Sequence, residues 1–303
     1  MITKNTFCLL FFILIYILLS CVSSKTINDG KYKKNIKLLC FVFTHSANHQ
    51  TKAASLKNTW LKHCNKSVFI TNAYDKKLES SDKKLEVVVY NNSIDTYENL
   101  WQKTKFTFSF AYDHYYTINK RKGFDWFLKA DDDTFILVEN LKKFLRMKNE
   151  NNNYYFGCKM SYKNKSIPNG YMSGGAGYVL SRGSLKKLVT EGFRNKIKCN
   201  KLLYGFEDAE MGSCLGKLNI FPSYINGRKD IISFFPSKNL ILYIFDISNN
   251  RTYDLLKKHL YDIPQKKGIQ SLPRYPISFH YISPDNMYKL NYLFYKAKVN
   301  DSI

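Results

Sequence analysis

The sequence predicts an α/β domain built on a largely parallel sheet, and three observations carry that prediction. Short continuous apolar runs recur: KLLCFVFTH at 37–45, SVFIT at 67–71, LEVVVY at 85–90 and WFL at 126–128. Such runs are the pattern of strands buried on both faces. Between several of them apolar residues repeat at helical spacing, as an alternation of strand and helix requires. The last run leads at once into Asp131, Asp132 and Asp133, and the carboxyl end of a strand is where open α/β sheets place their ligands.

Residues 7–22, FCLLFFILIYILLSCV, carry no charge and fall between the length of a signal-peptide core and that of a membrane span. Ser20, Ser23 and Ser24 offer a cleavage site, so an anchor over 1–24 and a removed signal are both open. Either one sends the rest of the chain into the secretory pathway. Lys4 precedes the segment and Lys25, Lys31, Lys33 and Lys34 follow it; counted alone, these charges favour the reverse orientation. Residues 25–36 read as a short, polar, Lys-rich stem. The remainder, 37–303, reads as one domain, because Pro and Gly are too sparse to mark a linker and no repeat is visible.

Within that domain Ala53, Leu56 and Trp60 follow the first strand at helical spacing. Leu100, Thr104, Phe108, Ala111 and Tyr112 predict a long amphipathic helix between Glu98 and Tyr116, and Val138, Leu141, Phe144 and Leu145 predict another. The segment NGYMSGGAGYVLSRGSLKKLV, 169–189, holds Gly174, Gly175 and Gly177, which permit close backbone approach. A helix is expected from about Ser181. Leu180 stands where a dinucleotide fingerprint needs its third glycine, and no GKS or GKT follows, so neither phosphate motif is present.

The formal net charge of +23 raises the question of nucleic acid. Only 7 of the 47 basic residues are Arg, and the Lys residues are spread along the whole chain. Lys lacks the bidentate fork of Arg. The charge therefore reads as solvated surface, with some benefit for nucleotide phosphates or anionic membranes, and no nucleic-acid partner is expected. Outside the apolar segment stand Cys40, Cys64, Cys158, Cys199 and Cys214. An oxidising compartment makes disulfides plausible, and the absence of any CxxC pair argues against zinc. Sequons occur at Asn65, Asn91, Asn164, Asn250 and Asn300.

Three constellations carry chemistry. In an extended segment Asp131 and Asp133 share one face and Asp132 takes the other. Adjacent carboxylates repel, and oxygen ligands suit a hard divalent cation such as Mg²⁺ or Mn²⁺; a solvated acidic turn is the alternative. In YGFEDAEMGSCL, Glu207 and Asp208 precede a helix, either as acids complementing its dipole or as a general base. PISFHY ends a strand-like run on His280, as a structural residue or as a ligand.

Taken together, LCFVFTH, TWLKHCNK, LWQKTK, DWFLKADDDTFILVENL, GYMSGGAGYVLS, EDAEMGSCL and SFHYISPDNMYKLNYL, in this order over about 38–297, resemble the core 1 β-1,3-galactosyltransferases of the fringe-like superfamily. The resemblance implies a GT-A-like nucleotide-sugar-binding fold behind a Golgi membrane anchor, single-pass and type II, with the catalytic domain luminal. It implies inverting, Mn²⁺-dependent transfer of galactose from UDP-galactose to the 3-hydroxyl of N-acetylgalactosamine on Ser or Thr of glycoproteins. By the same resemblance Asp133, Asp131 and His280 hold the metal and Asp208 is the base. Asp132, Thr44, Trp101, Lys103, Gly174 and Gly175 are expected at the nucleotide sugar, with a core role for Trp101 as the alternative. Glu207 and Tyr171 are expected at the acceptor, Glu207 alternatively orienting Asp208 or pairing with a Lys. The disulfides implied are Cys40–Cys64 and Cys199–Cys214, and a homodimer is left open. This sequence departs from the pattern in its short stem and in YDIPQKKGIQSLPRYP, 261–276, which lacks the usual Cys. A related enzyme with another donor or acceptor and a chaperone-like homologue are the competing readings; the intact Asp131–Asp132–Asp133 argues against the second.

Overall fold

The computed structural model describes residues 35–90, 99–116, 123–162, 167–194, 199, 205–227, 231–237, 240, 254, 257–263 and 272–297. The apolar segment 7–22, most of the stem, Glu98 and the sequons at Asn91, Asn164, Asn250 and Asn300 lie outside the described residues. Among the described residues no helix is long and apolar enough to cross a membrane.

The four apolar runs form β1 (Leu38–Phe43), β2 (Lys66–Thr71), β3 (Leu85–Val89) and β4 (Trp126–Asp131). Shorter strands follow: β5 (Phe135–Ile136), β6 (Tyr155–Phe156), β7 (Lys159–Met160), β8 (Tyr171–Met172) and β9 (Tyr178–Ser181). The last three are β10 (Pro222–Ser223), β11 (Phe234–Phe235) and β12 (Ser278–Phe279). The main sheet has the order β10-β6-β9-β4-β1-β2-β3. β1, β2, β3 and β4 are mutually parallel where they pair, while β9 runs antiparallel to both β4 and β6. The sheet is thus mixed with mostly parallel pairings. The departure comes from the glycine turn before β9, which reverses the chain beside β4. Gly177 has φ +80° there, and a Cβ on it would stand 3.0 Å from the Lys129 carbonyl.

The helices are α1 (Ala54–Asn58), α2 (Leu100–Ala111), α3 (Val138–Leu145), α4 (Arg182–Lys187), α5 (Glu207–Lys217) and α6 (Pro284–Tyr295). Strand alternation divides the core between the two faces of the sheet. Leu38, Cys40, Val42, Trp126 and Leu128 pack with Leu56 of α1, Leu141 of α3 and Met287 of α6. Leu39, Phe41, Phe43 and Phe127 pack with Trp101 and Phe108 of α2 and Met211 and Leu215 of α5. Covering on both faces explains why β1 is apolar throughout. Ser181 caps α4 by accepting the Ser184 amide at 3.1 Å, and Pro284 opens α6 without losing a needed donor.

Register and connection place the acidic stretch. β1 runs beside β4 from Leu38 opposite Trp126 to Phe43 opposite Asp131, so Thr44 and Asp132 leave the sheet at one edge. A second sheet, β11-β12-β5, carries the segment around His280 to the same edge. The Ile282 amide donates to the Asp133 carbonyl at 2.9 Å.

Two disulfides are present, Cys40–Cys64 and Cys199–Cys214, while Cys158 is free and buried. Burial pushes the Cys158 thiol up to about 12, so it stays protonated and inert. The Cys40–Cys64 bridge ties β1 to the approach to β2 across a sequence separation of 24. Replacing both of its cysteines with Ala should lower the unfolding free energy by about 2–4 kcal/mol, read as an earlier urea midpoint.

Candidate functional site

The three aspartates take three different environments. β4 ends at Asp131, and the chain then turns, with the Thr134 amide donating to the Asp131 carbonyl at 3.2 Å. The strand alternation that puts Asp131 and Asp133 on one face therefore does not hold past Asp131. Asp131 instead accepts from the Lys129 ammonium at 2.7 Å. Asp132 is nearly buried, and one of its oxygens accepts from Thr44 Oγ1 and Asn48 Nδ2, both at 2.8 Å. Lys52 Nζ stands 3.3 Å from Asp132 and 3.3 Å from Asp133. Asp132 and Asp133 thus share one cation, and Asp131 shares another with Glu207.

Asp133 Oδ1 lies 3.1 Å from His280 Nε2. On the far side of the ring Nδ1 lies 2.9 Å from the Pro236 carbonyl, which fixes the ring with a proton on Nδ1 and leaves Nε2 facing the carboxylate. Burial disfavours the charge on both partners. Their mutual attraction outweighs it, raising His280 and, with help from Lys52, lowering Asp133. Burial holds Asp132 up despite its hydrogen bonds. Asp133 and His280, an oxygen and an imidazole nitrogen side by side, are donors of the kinds that would hold a divalent cation. A second partner fixing the imidazole is the usual support of a metal-bound His. The donor set fits a divalent cation held by two side chains, with its other positions left to substrate and water. Among the described residues no group of three or more His, Cys, Asp and Glu gathers closely enough to hold an ion by itself.

The glycine turn is pinned against this pair. Thr134 Oγ1 donates to the Gly175 carbonyl at 2.7 Å, and Ser278 Oγ to that of Ala176 at 2.6 Å. A Cβ on Gly175 would stand 2.1 Å from His280 Cε1, and one on Gly174 would stand 2.5 Å from Glu207 Oε2. Both glycines are needed for close approach, one to the imidazole and the other to the acidic start of α5.

At that start Asp208 Oδ2 accepts from the Gly174 amide at 3.2 Å, and Oδ1 from the Ala209 amide at 2.8 Å. Burial and the neighbouring Glu207 charge push the Asp208 carboxyl up to about 6, against the pull of those amides and of Lys129. Glu207 is 5 % exposed, with Tyr178 OH at 2.6 Å and Lys129 Nζ at 3.3 Å. Both of its oxygens are held inside the protein, and it takes the pairing with a Lys that was the alternative to an acceptor contact. Tyr171, half-buried on β8, stands against α5 so closely that a Cβ on Gly212 would lie 2.3 Å from its own.

The nucleotide-sugar residues expected at β1 and α2 are all buried. Trp101 is fully buried, edge-on to Phe193 at 5.8 Å, and takes the core role. Lys103 is buried and donates to the Thr44 carbonyl at 2.9 Å, while Thr44 spends its hydroxyl on Asp132.

Sequence reasoning missed Lys129, Lys52, Asn48 and Tyr178. Lys129 was within reach of it, since a Lys in an otherwise apolar strand, two residues before Asp131, must share that residue's face. Burial works against the Lys129 charge, but Asp131 and Glu207 together outweigh it and raise its pKa. Lys52 and Asn48 come from the turn before α1 and carry no local signal.

The family model described as Fringe-like matches residues 34–226. The glycoprotein-N-acetylgalactosamine 3-beta-galactosyltransferase 1 of Xenopus laevis is 32% identical over 269 residues, covering 88% of this chain and 68% of the relative. The chondroitin sulfate synthase 3 of Homo sapiens is 27% identical over 122 residues, 38% of this chain and 13% of that protein. Among solved structures, the glycosyltransferase GlyE of Streptococcus pneumoniae TIGR4 aligns at a TM-score of 0.38 and 13% identity, over 83% of this chain and 56% of that one. That likeness is too distant to bear on the site.

Proposed function

The chain belongs to the Fringe-like family, and on that premise we propose that it transfers galactose from UDP-galactose to the 3-hydroxyl of N-acetylgalactosamine α-linked to Ser or Thr. The observation that carries the reading is the opposition of two chemistries across the glycine turn. Asp133 and His280 form a metal-competent pair on one side, and the carboxyl of Asp208, raised to about 6, stands on the other. The likeness to the Xenopus enzyme supports the choice of donor and acceptor. The fold variant in this reading is the GT-A-like one. The compartment is the Golgi lumen, with residues 7–22 as the anchor; the two disulfides support an oxidising compartment.

A divalent ion, Mn²⁺ in this reading because an imidazole joins the oxygens, would supply charge neutralisation for the departing diphosphate. Asp133 and His280 would hold it, with Asp131, paired with Lys129, contributing through water. Asp208 performs the proton step. Its carboxylate takes the proton of the acceptor 3-hydroxyl as that oxygen bonds to the anomeric carbon, and the bond from that carbon to UDP breaks on the opposite face. One displacement gives inversion. The Gly174 and Ala209 amides hold the carboxylate in place without a proton of their own to surrender.

The base works only when ionised. The Asp208 carboxyl at about 6 should therefore make kcat/KM fall about tenfold per pH unit below that value at saturating Mn²⁺. The glycine contact gives a second expectation. Gly175→Ala must push the His280 ring away, so the Mn²⁺ concentration for half-maximal rate should rise at least about tenfold, as when a support of a metal ligand is lost. An unchanged Mn²⁺ requirement would remove His280 from the ligand set. The function itself is tested by incubating the purified full-length chain with Mn²⁺, a panel of UDP-sugars and an N-acetylgalactosaminyl-threonine peptide. Galactose transfer is expected; transfer of a different sugar alone, or none by folded protein, contradicts the proposal.

A further inference from the structure

Lys129 is the most completely enclosed charge in the site. Its side chain is 1% exposed, and its ammonium reaches Asp131 at 2.7 Å, Glu207 at 3.3 Å and the Gly174 carbonyl at 3.3 Å. Those three partners belong to the end of β4, the start of α5 and the glycine turn. The ring of Phe43, at the end of β1, lies under the ammonium with its centroid at 4.9 Å. A single buried cation thus joins the acidic strand end to the segment carrying the base. Gly174 is the link, because its carbonyl accepts from Lys129 while its amide donates to Asp208.

We propose that Lys129 is a positioning residue for the transfer reaction, a buried counter-charge that fixes Gly174 and Glu207 so that the Asp208 carboxylate is held in place. This rests on the reading of Asp208 as the base. Two carboxylates as close as Glu207 and Asp208 cannot both stay charged in a buried site without a cation. Among the described residues, the groups around Asp208 point to Lys129 as that cation. On its own helix stand Glu207 and, nearer to Lys105, Glu210. From β8 comes Tyr171, against α5 at Gly212. From β6 and β9 come Tyr155 and Tyr178, phenols that burial keeps protonated. From β4 comes Lys129, whose charge favours the ionised form of Asp208.

The test is a charge-balance cycle read as pH profiles of kcat/KM at saturating Mn²⁺. In Lys129→Met the acid limb should move up by at least about one pH unit, with the rate partly recovered at high pH. In Glu207→Gln it should move down. The double variant should lie above Glu207→Gln by a similar amount, close to wild type. The effect of Lys129 is thus read in two backgrounds, and the double variant, which loses one charge of each sign, serves if Lys129→Met alone does not fold. A merely structural role would lower the rate at every pH and leave the limb in place; that result in either background overturns the proposal. Asp208→Asn separates the two readings. If it is inactive and the limb is unmoved, only the role of Lys129 fails; if it keeps near-normal rates, the base assignment fails first.

Discussion

Asp133→Ala is expected to abolish turnover, by roughly a thousandfold or more, while the protein remains folded. Asp133 is the one carboxylate of the three that faces His280, and Lys52 is its other partner. Removing it takes away half of the metal-competent pair and leaves the imidazole without its anion. Loss of Lewis-acid stabilisation of a departing diphosphate is worth several kcal/mol, and each 1.36 kcal/mol is about a factor of ten in rate. The check is twofold: Mn²⁺ binding followed by titration calorimetry, and transfer measured at saturating UDP-galactose. Both should be lost together. Tight Mn²⁺ binding that survives in the Ala variant would place the ion elsewhere.

Asp208→Asn should lose about 10²–10⁴-fold in kcat and keep its affinity for UDP. Asn preserves shape but has one acceptor oxygen, so it keeps the amide bond from Ala209 or from Gly174 and not both. What it lacks is a basic site for the hydroxyl proton. The sign of the effect on stability is a further check. A carboxyl raised in the folded state favours its protonated form, so it contributes stability only at low pH, and that contribution is lost as pH rises from the ordinary carboxylate range to about 6. At pH 7.5 the neutral Asn side chain therefore relieves a destabilising buried charge, which offsets the one amide hydrogen bond it gives up. A variant that is stable but retains near-normal transfer would mean that the proton goes to another residue.

How much of this could be read from residues alone follows from how local each feature is. The strands β1 to β4 are continuous apolar runs because both faces of the sheet are covered, and periodicity finds such runs directly. The helix expected from about Ser181 is present, and the structure adds Ser181 as its cap. The disulfide pairing implied by family resemblance matches the two bridges present. The roles within Asp131–Asp132–Asp133 were not legible from alternation, because β4 stops at Asp131 and a turn replaces the strand. Lys52, Asn48 and Pro236 reach the site from segments far along the chain, and no local pattern marks them. The two-residue strands β5 and β12, which bring His280 to Asp133, are too short for any period to show.

The central claim is an inverting galactosyl transfer to the 3-hydroxyl, and the structure of the product tests it most directly. The full-length chain would be incubated with UDP-galactose, Mn²⁺ and an N-acetylgalactosaminyl-threonine peptide, and the disaccharide analysed by proton NMR for anomeric configuration and linkage. The account predicts a β-linked galactose on O3, formed by one displacement with Asp208 as base. An α-linked product, or attachment at another hydroxyl, would contradict it.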